Sequence, residues 1–207
     1  MKKCFIFGAL PTERLVVKPT PDDFIIAADK GLLSVQRLNL TPDLIIGDFD
    51  SLGYEPDFPQ KIVLPIKKDL TDTAVAINYA LDNGYRDIVV YGAAEGKTDH
   101  TLANIALCAN AGRCGAKIVF FGETTHFTSV TTGFLQFNNA TGRASVFAFG
   151  GKAEGVTLSG FEYELNDYNL DELTPLGVSN SFNGNVATAI VKNGTLIVMW
   201  EDSKKPQ

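Results

Sequence analysis

The stretch PDLIIGDFDS (residues 42–51) is a short apolar run that ends in two aspartates, Asp48 and Asp50. An apolar run of this length, bounded by turn residues, is typical of a buried strand. Because alternate residues of an extended chain point the same way, both carboxylates would extend past the end of the strand together. Paired carboxylates suit a hard cation such as Mg²⁺. Asp also favours turns after strands, so this stretch alone fits an ordinary loop equally well.

Two more aspartate-rich stretches follow, KKDLTDTAVAI (67–77) and GAAEGKTDHTLAN (92–104). Each of them also lies where an apolar, strand-like run gives way to a helix-like segment. Three such clusters in the first half of the chain are less easily explained as unrelated turns. Together they indicate a site for metal and phosphate.

Apolar runs and helix-like segments alternate through residues 1–123, which predicts βαβ units around a parallel sheet. We expect one helix after Asp69, capped by Thr71 or Asp69 and stopped by Gly84, and a second from about Asp99 to Gly112. The predicted strands are KKCFIFGA, DFIIAAD, DLIIGD, KIVLPI, DIVVYGA and AKIVFFG.

From residue 124 the chain changes to short runs rich in Thr, Val and Phe, separated by Gly and Asn turns. This pattern is typical of a β-sandwich. The predicted fold is therefore α/β, with a Rossmann-like parallel-sheet domain in residues 1–123 and a β-sandwich domain in residues 124–207.

Composition and charge exclude several classes of protein. The 207 residues are 45% hydrophobic and carry a net charge of −6, which disfavours a nucleic-acid binder. Three cysteines form no CxxC pair, and two histidines are too few for a three-histidine zinc site. The N-terminus is interpreted as a first strand, and no apolar run reaches the roughly 18–20 residues of a membrane helix. We therefore expect a cytoplasmic protein without a membrane partner.

The segment GAAEGKT (92–98) resembles a phosphate-binding loop of the type GxxxxGK[ST] but has one residue too few between its glycines. A tight turn between strand and helix, with Asp99 as the N-cap, explains it as well. Glycines before a helix nevertheless expose backbone N–H groups, and Lys97 could approach phosphate oxygens. A carboxylate-held metal beside a glycine-rich anion site suits the transfer of a phosphoryl or diphosphoryl group.

Five short motifs, in this order, resemble the thiamine pyrophosphokinase (thiamine diphosphokinase) family: AADKG (27–31), GDFDS (47–51), KDLTD (68–72), GAAEGKTDHTLAN (92–104) and GVSN (177–180). The resemblance covers nearly the whole chain. It implies transfer of a diphosphoryl group from Mg²⁺-bound ATP, the co-substrate, to the hydroxyl group of thiamine, giving thiamine diphosphate and AMP. It also implies an ATP site in the α/β domain, a thiamine site in the β-sandwich, and a homodimer whose active site is shared between subunits.

The resemblance assigns roles residue by residue. It makes Asp48, Asp50 and Asp72 the metal ligands. For the transfer itself, we hypothesise that either Asp72 or Asp99 is the catalytic proton acceptor. Tyr163, Ser179 and Asn180 would bind thiamine, with Tyr163 stacking on its aminopyrimidine ring, whereas Trp200 is expected to pack in the sandwich. The ATP-binding residues would be Asp29, Gly31, Asp69, Gly92, Gly96, Lys97, Asp99, His100 and Asn104.

Four positions depart from the family pattern. Lys97 stands where the family has an arginine that can hold phosphate with two hydrogen bonds. Ala93 and Lys30 replace glycines, and Lys67 replaces a frequent acid. These departures concern nucleotide affinity and preference more than the class of reaction.

Two alternatives stay open from the sequence. A diphosphokinase that acts on a hydroxymethyl pterin would use the same metal and ATP chemistry with a different ring pocket. A non-catalytic sensor of nucleotide or vitamin would fit the altered glycine element.

Overall fold

The structure, a computed structural model, describes residues 2–184 and 186–201. It divides into two compact units. Unit 1 comprises the chain up to Leu107 together with Ile118–Glu123. Unit 2 comprises Cys108–Lys117 and the chain from Thr124 onward. Within the described residues, no helix is long and apolar enough to cross a membrane.

Unit 1 is a parallel sheet with helices between its strands, so the predicted α/β class is confirmed. Its strands lie in the order β6-β5-β1-β2-β3-β4. The central strand β1 is fully buried and pairs in parallel with both β2 and β5, as expected for an apolar run in a two-sided sheet. The strands are β1 (Cys4–Phe7), β2 (Phe24–Ala28), β3 (Leu44–Gly47), β4 (Lys61–Val63), β5 (Asp87–Tyr91) and β6 (Lys117–Phe121).

Three α-helices connect these strands: α1 (Gly31–Arg37), α2 (Asp72–Asp82) and α3 (Thr98–Arg113). The predicted cap of α2 is confirmed, because the Thr71 hydroxyl accepts a hydrogen bond of 3.2 Å from the N–H group of Ala74. One short 3₁₀ turn, Asp50–Leu52, follows β3. The parallel arrangement places the carboxyl ends of β1, β2, β3 and β5 along one edge of the sheet.

The described residues of unit 2 form six antiparallel strands: β7 (Thr125–Phe137), β8 (Thr141–Ala148), β9 (Ala153–Ser159), β10 (Leu165–Leu170), β11 (Gly177–Asn183) and β12 (Ala187–Glu201). Strand β12 pairs with β7 along its length, and its two halves pair with β9 and β8 respectively. Each of the six strands contributes side chains to one apolar core, including Val146, Leu158, Phe182 and Val198.

One of the Gly and Asn turns predicted from the sequence, at Asn193 and Gly194, does not separate two strands. The runs VATAIVK and TLIVMW, separated by Asn193 and Gly194, form the single strand β12. The pairing with β7 shifts register between Val191 and Thr195, and Gly194 has a φ of 103°. The Asn-Gly pair therefore makes a bulge, which uses the same left-handed glycine as a hairpin turn does.

The last part of α3 packs within unit 2. The Ser129 hydroxyl donates a 2.8 Å hydrogen bond to the carbonyl of Cys108, and a Cβ atom at Gly112 would lie 2.6 Å from that hydroxyl oxygen. The guanidinium of Arg113 donates to the carbonyl of Phe149 at 2.9 Å. These contacts explain why Cys108–Lys117 belongs to unit 2.

Candidate active site

The candidate site in unit 1 lies at the carboxyl ends of its parallel strands. The chain leaves β1 toward β2 on one side, while β5 lies on the other side of β1. Parallel sheets commonly bind ligands where the strand order reverses in this way. Here the loops after β1 and β5 touch, because the Leu10 N–H group donates to the carbonyl of Gly92 at 3.0 Å. A Cβ atom at Gly92 would lie 2.4 Å from the Leu10 carbonyl oxygen, so this contact requires glycine.

Three carboxylates converge at the same edge of the sheet. Asp29 follows β2, Asp48 follows the neighbouring parallel strand β3, and Asp50 begins the 3₁₀ turn. One oxygen from each residue lies within 4.8 Å of the others, a spacing at which the three could hold one metal ion. The family resemblance assigns Asp29 to ATP binding, and that role stays a prediction. The signal that could have placed it here is its position at the end of a strand next to β3.

Asp29 is buried, with 8% of its surface exposed, and its backbone is left-handed, with a φ of 50°. Its N–H group donates to the carbonyl of Ile46 at 2.8 Å, and the Ser51 hydroxyl donates to its Oδ2 atom. Its Oδ1 atom is buried with no hydrogen-bond partner among the described residues. A buried carboxylate oxygen without a partner is costly, and a bound cation would remove that cost. The donor set therefore fits a divalent ion.

Lys68 joins this cluster to Asp72. Its Nζ atom lies 2.7 Å from Asp48 Oδ2 and 2.7 Å from Asp72 Oδ1. The hydrogen bond from Lys68 lowers the pKa of the Asp48 carboxyl. Burial raises the pKa of Asp72, even though the same ammonium group acts in the opposite direction. Lys68 was missed by the sequence analysis, although its spacing of four residues from Asp72 was visible there.

Gly31 has a packing role that the structure makes plain. A Cβ atom at this position would lie 1.9 Å from the carbonyl oxygen of Phe7, so only glycine allows α1 to begin against β1. Lys30, which stands in place of a family glycine, is the N-cap residue of α1 without a side-chain capping bond. The predicted contact of Gly31 with ATP stays a prediction.

The loop between β5 and α3 carries most of the remaining predicted ATP ligands. Gly92 and Gly96 have φ angles of 66° and 111°, which glycine adopts without strain. The buried Asn104 amide donates to the carbonyl of Ala93 at 2.7 Å and so holds the loop against α3. Lys97 precedes the first turn of α3, where unpaired backbone N–H groups favour anions.

Exposed residues complete this loop. Lys97, Asp99 and His100 are all exposed, and Asp69 is exposed in the segment before α2. Since α3 begins at Thr98, Asp99 lies in its first turn and is not its N-cap. The Asp99 carboxylate accepts a 2.9 Å hydrogen bond from the N–H group of His100. These side chains are free to reach a ligand, and their roles stay predictions.

In unit 2 the three predicted thiamine ligands lie together. The Asn180 side chain is buried, accepts a 2.9 Å hydrogen bond from the N–H group of Tyr163 and donates to the Tyr163 carbonyl at 2.8 Å. It also accepts from the N–H group of Ser181 at 2.8 Å. Tyr163 is 64% exposed, so its side chain is accessible to a ligand. Asn180 therefore holds the backbone of Tyr163 and of Ser181 with its amide, and its predicted contact with thiamine stays a prediction.

Ser179 is exposed and left-handed, with a φ of 59°. Its hydroxyl accepts a 3.2 Å hydrogen bond from Arg143, a cation that the sequence analysis did not single out. Trp200 packs edge-on against Phe137 and His126, with ring centroids 5.2 and 5.5 Å apart, which confirms its predicted packing role.

Comparisons with known proteins identify the family. Residues 20–120 match the family model described as thiamin pyrophosphokinase, catalytic domain, and residues 139–196 match the model described as thiamin pyrophosphokinase, vitamin B1 binding domain. A thiamine pyrophosphokinase of Bacillus subtilis is 27% identical over 182 residues, which are 84% of this chain and 85% of the relative.

Solved structures show the same fold. A crystal structure of the thiamine pyrophosphokinase from Bacillus subtilis matches with a TM-score of 0.83 at 23% identity, over 98% of this chain and all of that one. The thiamin pyrophosphokinase of Candida albicans matches with a TM-score of 0.77 at 16% identity, over 98% of this chain and 89% of that one. At such identities the likeness concerns the fold alone, whereas the two family models cover most of the sequence. The chain belongs to the thiamine pyrophosphokinase family.

Proposed function

We propose that this protein is a thiamine diphosphokinase, which transfers a diphosphoryl group from Mg²⁺-bound ATP to the hydroxyl group of thiamine and yields thiamine diphosphate and AMP. The observation that carries the chemistry is the convergence of Asp29, Asp48 and Asp50, with the buried Asp29 Oδ1 atom lacking a partner among the described residues. The family assignment supplies the acceptor.

The metal ion is proposed to lie between Asp29, Asp48 and Asp50. When bound there, Mg²⁺ would neutralise charge on the phosphate oxygens and orient the triphosphate. The chain supplies the rest of the anion site through the glycine loop after β5, the N–H groups at the start of α3, and Lys97. Because phosphoryl transfer usually has a loose transition state, alignment and charge neutralisation contribute more than proton abstraction.

In the transfer step the hydroxyethyl oxygen of thiamine attacks the β-phosphorus, and the bond between that phosphorus and the oxygen bridging to the α-phosphorus breaks. AMP leaves with the bridging oxygen. The hydroxyl proton passes to a carboxylate, for which we propose Asp72, because burial raises the pKa of its carboxyl group and a raised pKa favours proton uptake. Asp99, the other candidate, is exposed in the first turn of α3.

Tyr163 and Ser179 are proposed to contact thiamine in unit 2, which we interpret as a β-sandwich because each of its six strands contributes to one core. Tyr163 offers an exposed ring for stacking on a flat heterocycle. A homodimer with a shared active site is proposed from the family resemblance. Reducing cytoplasm is the proposed compartment, and the three free cysteines support it.

Neither alternative from the sequence analysis is favoured. A pterin diphosphokinase would not explain the match of residues 139–196 to a vitamin B1 binding domain. A non-catalytic sensor would not explain the match of residues 20–120 to a catalytic domain.

The test is to incubate the purified protein with ATP, Mg²⁺ and thiamine and to measure AMP and thiamine diphosphate by chromatography. Equal amounts of both products, absent when EDTA replaces Mg²⁺, are expected. A parallel reaction with a hydroxymethyl pterin should give no AMP. AMP formed only with the pterin, or no AMP with either acceptor, would refute the proposal.

A further inference from the structure

We propose that Lys68 is an internal cation that occupies one of two cation positions in the carboxylate cluster, so that a single divalent ion completes it. This inference rests on the metal placement of the proposed function. Two-metal phosphoryl-transfer sites hold their ions about 3.5–4 Å apart between shared carboxylates. Here the Lys68 ammonium lies between Asp48 and Asp72, at 2.7 Å from each, in the manner of the second ion.

Asp48 links the two positions. Its Oδ2 atom accepts from Lys68 at 2.7 Å, while its Oδ1 atom accepts a long 3.3 Å bond from the N–H group of Asp50. One carboxylate oxygen thus contacts the lysine, and the other is bonded to the backbone of Asp50, which belongs with Asp29 and Asp48 to the candidate metal cluster. Asp48 can bridge an ammonium group and a metal ion, as carboxylates bridge two ions in two-metal sites.

Charge favours the same conclusion. Asp29, Asp48, Asp50 and Asp72 carry four negative charges when ionised, and the lysine and one divalent ion together supply three positive ones. Two divalent ions beside the lysine would supply five positive charges. These charges would lie close together in a poorly solvated place, since the Lys68 side chain is only 15% exposed. A divalent ion at the position between Asp48 and Asp72 would compete with the Lys68 ammonium for the same two carboxylate oxygens, and its repulsion by that ammonium would be weakly screened.

Fold stability does not explain the lysine. Lys68 lies at the N-terminal end of α2, where Asp72 is the first helical residue and where the helix dipole disfavours a cation. The side chains of Asp48 and Asp72 are 11% and 21% exposed, so the ion pairs are largely desolvated. Pairs of this kind contribute little net stability. Lys68 is a cation at the helix end that disfavours positive charge, and two carboxylates of the candidate site hold it there. Its presence is therefore better explained by the function of the site than by the stability of the fold.

The experiment counts Mn²⁺ ions bound per chain, by EPR of free Mn²⁺, with no ATP or thiamine present. The wild type and Lys68→Arg should bind one ion, whereas Lys68→Met should bind two. Lys67→Met is the matched control, because it removes a neighbouring charge that is exposed, and it should bind one ion. The two ions of Lys68→Met should be magnetically coupled, and adding Asp72→Asn should return the count to one.

A count of one in Lys68→Met would overturn the inference, as would a count of two or of zero in the wild type. Lys68→Gln, judged by its circular dichroism spectrum, replaces Lys68→Met if that variant does not fold. Because the count needs no turnover, it is independent of the thiamine assay. Failure to phosphorylate thiamine with one bound ion would refute the proposed function and leave the role of Lys68 standing.

Discussion

The candidate metal ligands of unit 1 and the candidate thiamine ligands of unit 2 differ in whether their polar atoms already form hydrogen bonds within the protein. In unit 1, Asp29 keeps a buried oxygen without a hydrogen-bond partner among the described residues, next to Asp48 and Asp50. In unit 2, the buried Asn180 uses its amide to hold the backbone of Tyr163 and Ser181. An unsatisfied group indicates where a ligand binds, and a satisfied one indicates what holds the binding residue. The two sites therefore call for different substitutions.

The largest effect is expected from Asp48→Asn, which keeps the shape of the side chain and removes its charge. Loss of one ligand from the metal cluster should lower kcat by roughly 10²–10³-fold, the range found when one preorganised electrostatic group is removed. Steady-state AMP formation at saturating Mg²⁺ measures it. Asp57→Asn, at an exposed position of the same loop region, is the control and should have little effect. Equal activity of both variants would show that the cluster does not serve the reaction.

Gly31→Ala tests whether the segment beside Asp29 depends on close packing. The added Cβ atom would lie 1.9 Å from the Phe7 carbonyl oxygen, so the free energy of unfolding should fall by about 3 kcal/mol. Urea denaturation measures the change. Gly133→Ala is the control, because its nearest neighbour would lie at 3.7 Å, and it should lose well under half as much. A smaller loss for Gly31→Ala than for Gly133→Ala would contradict the packing role.

Asn180→Ala should destabilise unit 2 and weaken thiamine binding together. It removes three hydrogen bonds and leaves the Tyr163 N–H group without its acceptor, which should cost about 2 kcal/mol in the free energy of unfolding. The KM for thiamine should rise while the KM for ATP stays unchanged. Asn166→Ala, at an exposed position in β10, is the control. A raised KM for thiamine without loss of stability would instead indicate direct contact between Asn180 and the vitamin.

Each unit buries one thiol, and burial raises the pKa of both Cys4 and Cys108 to about 12 from an ordinary 9.0. Folding keeps these thiols protonated, so their contribution to stability is complete below pH 9 and is lost as the pH rises toward 12. At pH 10 each thiol should have lost about 1.4 kcal/mol. Cys108→Ala should therefore show a shallower fall in unfolding free energy between pH 8 and 10 than the wild type.

The exposed Cys114 provides the control, since Cys114→Ala should leave that pH dependence unchanged. If Cys108→Ala and the wild type lost stability in parallel over this range, the Cys108 thiol would not be protected by folding.

The smallest effect is expected from Tyr163→Ala. Loss of a stacking ring should raise the KM for thiamine roughly fivefold, about 1 kcal/mol, because the ring is exposed and contributes little to the fold. Tyr168→Ala removes another exposed ring from the same region and serves as the control. Equal KM values for the two variants would remove Tyr163 from the thiamine site.

The sequence predicted the six strands of unit 1 and the helices α2 and α3, because each apolar run corresponds to one strand and Thr71 is a strong helix signal, but it did not locate the short helix α1. It did not predict that Asp29 lies beside Asp48, because that contact depends on which strands are neighbours. Nor did it predict the salt bridges of Lys68, which depend on where a loop returns to the sheet edge. The Asn193-Gly194 pair was misinterpreted because a bulge and a hairpin turn both need a left-handed glycine.

Because the C-terminal part of α3 belongs to unit 2, the chain cannot be divided into its two units by a single cut after β6. A fragment that begins at residue 124 would lack the Cys108 carbonyl to which Ser129 donates and the guanidinium of Arg113 that reaches Phe149. Such a fragment would expose polar groups and apolar surface that the intact chain covers. Exchange of the second unit between relatives would therefore have to carry the end of α3, Cys108–Arg113, with it, so the two units are expected to be inherited together and not exchanged as separate modules.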